Sequence, residues 1–346
     1  MKTRRLCLAM VGLGNVGCNV LRLLIAKTDV LAGSYGLEMA VVGAADSSGA
    51  AVDNGGLDIA TIVRLKEEKK GIAHYGRLGR PGLSALDMLR QTQADVLLEM
   101  SPTNLVHGQP GLQCIREVLA RGWDVVTADK GPLVLAYAEL TGLAQEKGRQ
   151  LRFSACVGGG LPSVNVGQRD LVACQISRFE GILNSTTHYI LTAMCDEGKS
   201  FDEALADAQR IGIAEADPTL DVDGWDAANK CVILANSVLG FPATLKDVEV
   251  VGIRGVTMEQ MRLAREQNTV LKLLVTAERA GDGYRLAVRP TALPLSHPLA
   301  QLRGEDMGIV YYTDIMGRVA VTIAERGPVP TAAAVLRDVI TIARAG

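Results

Sequence analysis

No apolar run in the 346 residues approaches the ~20 that a membrane-spanning helix requires, which excludes that architecture. An excess of charge of one sign is missing too. Lys and Arg number 36 against 38 Asp and Glu, and a net charge of −2 offers no basic field to nucleic acid or an anionic membrane. The seven cysteines include no CxxC pair; their odd number and apolar settings read as reduced, buried thiols of a cytoplasmic protein. Repeats and low-complexity tracts are absent. The first eighteen residues imitate a signal peptide, with Lys2, Arg4 and Arg5 ahead of an apolar stretch ending at Cys18. Gly12, Gly14 and Gly17 interrupt that stretch, and an amphipathic helix follows where a cleavage site would stand. Small-molecule chemistry is what remains.

The chain is longer than one hydrophobic core usually supports, so at least two packed units are expected. Leu6–Val11 predicts a strand, Val16–Ala26 a helix and Leu37–Ala45 a second strand. Ala94–Met100 and Trp123–Thr127 predict further buried strands, with helices over Gly111–Ala120 and Leu133–Gln145. Such alternation implies a parallel, doubly wound α/β sheet. Between Ala45 and Ala94 the pattern loosens into an excursion with one short helix near Ile59–Lys69. Beyond Gly158–Gly160 the style shifts to long helices, Phe201–Ile211 and Asp223–Leu239, mixed with strands at Thr269–Glu278 and Tyr284–Pro290. Thr331–Ala345 reads as a closing helix returning to the first domain. The expected division is residues 1–155, with the returning segment 326–346, as a dinucleotide-binding domain, and 156–325 as an α+β catalytic and dimerisation domain.

Gly12-Leu13-Gly14-Asn15-Val16-Gly17 falls between a predicted strand and helix, where glycines allow a tight turn and a close backbone approach to a pyrophosphate. A merely tight turn is the structural alternative. Asp46, ending the second strand, is placed to accept from a ribose 2′-hydroxyl, which argues for NAD. Ser47-Ser48-Gly49 follows in place of an arginine, and Lys66 is the residue that could reach a 2′-phosphate, so NAD and NADP both stay open.

Hydride addition to a carbonyl carbon needs a proton for the developing alkoxide. Lys130, in Thr127-Ala128-Asp129-Lys130-Gly131-Pro132, lies just past the C-terminal end of a predicted strand, where open α/β sheets bind ligands. A second cluster runs from Glu215 to Lys230. An apolar stripe of Ala228, Cys231, Val232, Ala235, Val238 and Leu239 places Asp226 and Lys230 together on the opposite helix face, as a catalytic couple or a solvated ion pair. The five carboxylates from Glu215 to Asp226 repel one another unless they face a cation such as a substrate amine. Asp221-x-Asp223-Gly224 hints at a calcium loop and lacks its remaining ligands.

The order of these motifs resembles the homoserine dehydrogenase family. It is carried by the glycine string, Ser101-Pro102-Thr103-Asn104, the Lys130 segment, Val157-Gly158-Gly159-Gly160-Leu161-Pro162, Gly181 through Thr192, and above all Glu215 through Lys230. The resemblance implies a Rossmann-type first domain and an NAD- or NADP-dependent exchange between L-homoserine and L-aspartate 4-semialdehyde, in threonine and methionine biosynthesis. Lys130 and Lys230 would flank the reacting carbon, with Lys230 the general acid/base and Asp226 holding it. Two neighbouring ammonium groups lower each other's pKa, which suits proton exchange near neutrality. Glu215 and Asp221 would grip the substrate, with Thr186 and Ser185 at its amino-acid end.

Gly12, Gly14, Asn15, Val16, Gly17, Asp46, Ser47, Lys66, Ser101, Thr103, Asn104 and Gly327 would line the cofactor, and main-chain oxygens at Val157 and Gly159 resemble a sodium site. Ser185 and His188 stand where the family usually carries Gly and Asn, and Ser154 where an acid is common. His188 reads as a structural residue. A short monofunctional form, without a C-terminal regulatory module, and a homodimer built through the second domain are the further expectations. The competing readings are another NAD(P)-dependent amino- or oxo-acid dehydrogenase on the same scaffold, kept open by Ser185, and a non-catalytic NAD(P)-sensing protein, which would have no need of Lys130, Lys230 and Asp226.

Overall fold

A computed structural model describes residues 3–345. Lys2, part of the signal-like start, and Met1 and Gly346, at the ends of the expected first domain, lie outside the described residues. The chain divides into two compact units, one running to Gly160 and rejoined by the segment from Gly327, the other spanning Leu161–Arg326.

The first unit runs β1 (Arg4–Val11), α1 (Asn15–Ala26), α2 (Thr28–Tyr35), β2 (Leu37–Asp46), β3 (Gly49–Val52), α3 (Ile59–Glu67), β4 (Gly79–Pro81), α4 (Ala85–Gln91), β5 (Val96–Glu99), α5 (Gly111–Ala120), β6 (Asp124–Thr127), α6 (Lys130–Glu146) and β7 (Leu151–Arg152). Its sheet has the order β4-β3-β2-β1-β5-β6-β7. The strands from β2 through β7 in that order pair in parallel, and β5 and most of β6 are buried on both faces, as a sheet covered by helices on each side demands. One core joins Val20, Leu21 and Leu24 of α1 to Ala332, Val335, Val339 and Ile342 of the closing helix; the other packs Leu112, Ile115 and Val118 of α5 beneath Ala9, Leu97 and Val125. β1 has neighbours reached in opposite directions along the sheet, β2 and β5, and that reversal opens a crevice at the carboxyl ends of the strands.

The expected excursion is more ordered than its composition suggests. β3 and β4 extend the sheet in antiparallel fashion, so the sheet is mixed at this edge and not parallel throughout. The β2–β3 hairpin pairs Asp46 with Gly49, leaving Ser47 and Ser48 as its two-residue loop.

The second unit contains α7 (Ser163–Asn165), β8 (Ile176–Ile182), α8 (Ser185–Glu197), α9 (Phe201–Arg210), α10 (Thr219–Val222), α11 (Trp225–Ser237), β9 (Val248–Val250), α12 (Met258–Glu266), β10 (Thr269–Ala280), β11 (Gly283–Pro294), β12 (Met307–Thr313) and β13 (Arg318–Ile323); the closing helix of the first unit is α13 (Val329–Ala345). The second sheet has the order β13-β12-β8-β10-β11-β9, antiparallel except for β11 with β9. α8, α11 and α12 pack on β10.

α11 begins at Trp225, two residues later than its periodicity suggests. Gly224, at φ +87°, separates it from α10. Residues 227–229 and 231–235 are all buried, so α11 is a core helix more than an amphipathic one, and Asp226 and Lys230 are not solvated: their side chains are only 15% and 12% exposed.

Candidate active site

In the first unit the backbone leaves β1 through Gly12, at φ +92°. A Cβ on Gly12 would stand 2.3 Å from the Met100 carbonyl oxygen, and one on Gly17 2.2 Å from that of Gly12. Both glycines are required by packing. Gly14 differs, because a Cβ there would meet no protein atom within 4 Å. It is the N-cap of α1, where no side chain caps the helix, so the positive helix end and its backbone N–H groups face open space. The cradle fits a pyrophosphate, and a side chain at Gly14 would intrude on it. Asn15 opens α1 at the surface, and Val16 packs against the core beneath.

At the end of β2, Asp46 accepts four hydrogen bonds: Ser48 N (2.9 Å) and Ser48 Oγ (2.6 Å) at Oδ1, Lys66 Nζ (2.7 Å) and Ile72 N (3.0 Å) at Oδ2. Burial works to raise its pKa, and the bonds from Lys66, Ser48 and Ile72 outweigh it, holding the carboxyl below the usual range. The candidate ribose and 2′-phosphate residues are thus partners of each other. Ser47 is exposed at the hairpin tip.

At the end of β5, Ser101 is buried and gives its N–H (3.0 Å) and its hydroxyl to Glu99. Thr103 is exposed. Asn104 closes its own turn, its Oδ1 accepting from Val106 N (2.9 Å) and His107 N (3.0 Å). Lys130 is the first residue of α6, a helix capped by Asp129, whose Oδ1 accepts from Gly131 N at 2.9 Å. Gly327 takes φ +67° just ahead of α13. Val157 is buried, and Gly158 and Gly159, at φ +78° and +57°, turn the backbone after it. Among the described residues no group of three or more His, Cys, Asp or Glu side chains could hold a metal; the sodium expectation concerned main-chain oxygens and rests on the resemblance.

In the second unit Lys230 Nζ donates to Asp226 Oδ2 (2.6 Å) and to the Leu183 carbonyl (2.5 Å). Asn184, buried at the N-cap of α8, donates through Nδ2 to Asp221 Oδ1 (2.7 Å) and Asp226 Oδ2 (2.8 Å), while its Oδ1 accepts from Thr187 N (2.9 Å). Burial first, and the Asp226 charge second, raise the pKa of Asp221; Asn184 opposes them. Thr186 donates to the Ile213 carbonyl (3.1 Å), and Ser185 beside it is half-buried at the helix start.

Of the five carboxylates, Asp226 pairs with the lysine, and Asp221 is linked to Asp226 through Asn184. Asp217 caps Thr219 N (3.1 Å), Asp223 pairs with Arg254 (2.5 Å), and Glu215 is exposed. The repulsion expected of five clustered acids is therefore relieved by turn capping and an outward ion pair. Asn184, the residue linking both acids, was missed as a site residue; its signal is an Asn ahead of Ser-Thr-Thr at a helix start, which reads simply as a cap. His188 is buried one turn further on, its Nε2 2.8 Å from Lys272 Nζ.

The model of the homoserine dehydrogenase family matches residues 162–340. A homoserine dehydrogenase of Methanocaldococcus jannaschii is 41% identical over 333 residues, which cover 96% of this chain and 97% of that one. The chain belongs to the homoserine dehydrogenase family. A Pseudomonas canavaninivorans protein named NAD(+)-dependent homoserine dehydrogenase is 35% identical over 341 residues, covering 97% of this chain and 95% of the other. A mutant of a hyperthermophilic archaeal homoserine dehydrogenase, solved with NADPH, superposes with a TM-score of 0.86 at 26% identity over 99% of both chains. Residues 2–106 also match the glutamate/leucine/phenylalanine/valine dehydrogenase model, in keeping with a dinucleotide fold that homoserine dehydrogenases share with other enzymes. Among the described residues no helix is long and apolar enough to cross a membrane.

Proposed function

We propose that the protein interconverts L-homoserine and L-aspartate 4-semialdehyde with NAD or NADP, Lys230 moving the proton. The observation that carries this reading is the fixed geometry of Lys230. An ammonium has three N–H donors, and two of them are held by Asp226 and the Leu183 carbonyl. The third position is left for a substrate oxygen.

A bound nicotinamide supplies hydride exchange with the carbon that bears that oxygen. In homoserine oxidation Lys230 enters as the amine, takes the hydroxyl proton as hydride leaves the carbon, and ends as the ammonium. In reduction the ammonium gives that proton to the developing alkoxide, and Asp226 keeps it aimed. Lys130, opening α6 at the carboxyl end of β6, is the second lysine of the reaction in this reading.

Asp221, held by Asn184, is proposed to receive the substrate ammonium together with Glu215. Ser185 and Thr186 at the positive end of α8 suit a carboxylate. Gly12, Gly14, Asn15, Val16 and Gly17 would cradle the pyrophosphate, Asp46, Ser47 and Lys66 the adenosine ribose, and Ser101, Thr103, Asn104 and Gly327 the remainder of the cofactor. A homodimer assembled through the second unit and a cytoplasmic location are part of the proposal, supported by the family likeness and by seven cysteines that are all free. Light scattering after size-exclusion chromatography tests the dimer.

The deciding experiment follows reduced-nicotinamide absorbance while purified protein oxidises L-homoserine with NAD or NADP, beside Lys230→Ala. Turnover that the variant lowers by at least about a hundredfold supports the reaction and the residue together. Binding of either cofactor without turnover of homoserine would overturn the substrate.

A further inference from the structure

Glu99 ends β5 and Asp129 follows β6, adjacent parallel strands in which Glu99 is level with Thr127. Both carboxyls are buried, at 0% and 1% exposure. Glu99 accepts from Ser101 N and Ser101 Oγ at Oε1, and from Thr127 Oγ1 at Oε2 (3.0 Å). Thr127 Oγ1 in turn accepts from Asp129 N at 3.0 Å, so one hydroxyl links the two acidic residues. Asp129 Oδ1 caps α6, and Asp129 Oδ2 is buried with no close hydrogen bond, the Thr103 side chain being the further polar group that favours its ionised form. The two acids converge on one spot: a Cβ added to Gly111 would stand 2.8 Å from Asp129 Oδ2 and 3.0 Å from Glu99 Oε2.

We propose that Glu99 and Asp129 hold one proton between them, and that this pair positions the Lys130 turn against the Ser101–Asn104 segment. The role in positioning rests on the reading of Lys130 given above. Two carboxylates facing each other in a buried space resist ionising together, so one of them keeps its proton to a higher pH. Burial first, and the Asp129 charge second, push Glu99 up to about 7, and burial raises Asp129 as well. The other ionisable groups facing the pair are Lys130, whose charge favours the ionised Asp129, Cys114 on α5 and Cys156 after β7. Burial pushes Cys114 up to about 12 and Cys156 up as well, so both thiols stay neutral.

With the proton in place the pair carries a single charge, and Asp129 stays seated as the cap of α6. Loss of the proton sets two charges against each other, and the mobile member is Asp129, next to Lys130. The same movement reaches the Ser101–Asn104 segment, since a Cβ on Gly131 would lie only 2.6 Å from the Asn104 carbonyl oxygen. Glu99 is in this sense a positioning residue.

Glu99→Gln keeps the shape of the side chain and cannot ionise. Infrared difference spectra of the full-length protein, wild type minus Glu99→Gln and without cofactor, are expected to show an un-ionised carboxyl that disappears as the pH rises through neutrality. In pH profiles of kcat/KM, the wild-type value divided by that of Glu99→Gln, normalised on the acid side, should fall roughly tenfold per pH unit beyond that ionisation. Thr127→Val removes a donor that favours the ionised Glu99, so it should move the alkaline fall to higher pH, and it serves if Glu99→Gln does not fold. Superposable profiles, or no carboxyl band in the difference spectrum, would overturn the proposal. A wild type that turns over no homoserine would overturn instead the functional reading beneath the positioning role, and the infrared band would still decide the shared proton.

Discussion

The Lys66 ammonium lies 2.7 Å from Asp46 Oδ2, and that carboxylate has no acceptor position to spare once Ser48 and Ile72 have taken theirs. A ribose hydroxyl would meet a saturated acid, and a 2′-phosphate would meet a neutralised one. Lys66→Ala bares the Asp46 charge. NADP should then lose roughly ten- to a hundredfold in affinity relative to NAD, the size of one or two charge-assisted hydrogen bonds. Titration calorimetry with each cofactor measures the ratio, and an unchanged ratio would remove Lys66 from cofactor choice.

The glycine string separates packing from binding. Gly14→Ala meets no protein atom, so its melting temperature should match the wild type while cofactor affinity falls at least about tenfold. Gly17→Ala drives a methyl into the Gly12 carbonyl and should lower stability by about 1–3 kcal/mol as well. Thermal melts without cofactor, set beside cofactor titrations, distinguish the two.

Asn184→Ala takes the donor from between Asp221 and Asp226 and the cap from α8. A cap alone is worth about 1 kcal/mol, and the half-buried acids left facing each other add to that, so a loss of about 1–3 kcal/mol is expected in urea unfolding. KM for homoserine should rise more than kcat falls, since Asp221 is assigned to binding.

Lys272 carries a buried ammonium against His188, with Arg303, Cys195, Asp196 and Asp306 around it. Burial, with Arg303 next, lowers its pKa from 10.5 to about 8, and burial, with Lys272 next, lowers that of His188 from 6.5 to about 3. Between the folded and unfolded values the unfolded chain holds the proton that the native state has released, so stability rises with pH in each window. For Lys272 the gain runs from about pH 8 to 10.5 and reaches at most about 3 kcal/mol; for His188 stability is lost as pH falls below 6.5 towards 3. Urea midpoints of the wild type and Lys272→Met check the first window, and the variant should lose the rise above pH 8.

Much of this was legible in the residues. α5 has the bounds its periodicity suggests, Gly111–Ala120, because a strong apolar stripe leaves little choice of face. α2 was not legible, since Leu31 is its only buried residue and an eight-residue helix with one anchor has no readable period. β3 and β4 were missed for a related reason: Gly-Ala-Ala-Val and Gly-Arg-Pro have little strand character and are held by pairing to β2 and to each other.

The sequence by itself determined the glycine turn, the alternation of strands and helices, and the i,i+4 couple of Asp226 and Lys230, all local features written in spacing along one stretch of chain. Only the tertiary structure decided that Lys66 reaches Asp46 across 20 residues, that Asn184 joins Asp221 and Asp226 across 37 and 42, and that Glu99 and Asp129 converge on Gly111. Those partners are chosen by which strands lie side by side and which helix ends meet. A carboxylate's state depends on what is buried around it, and no spacing along the chain records that.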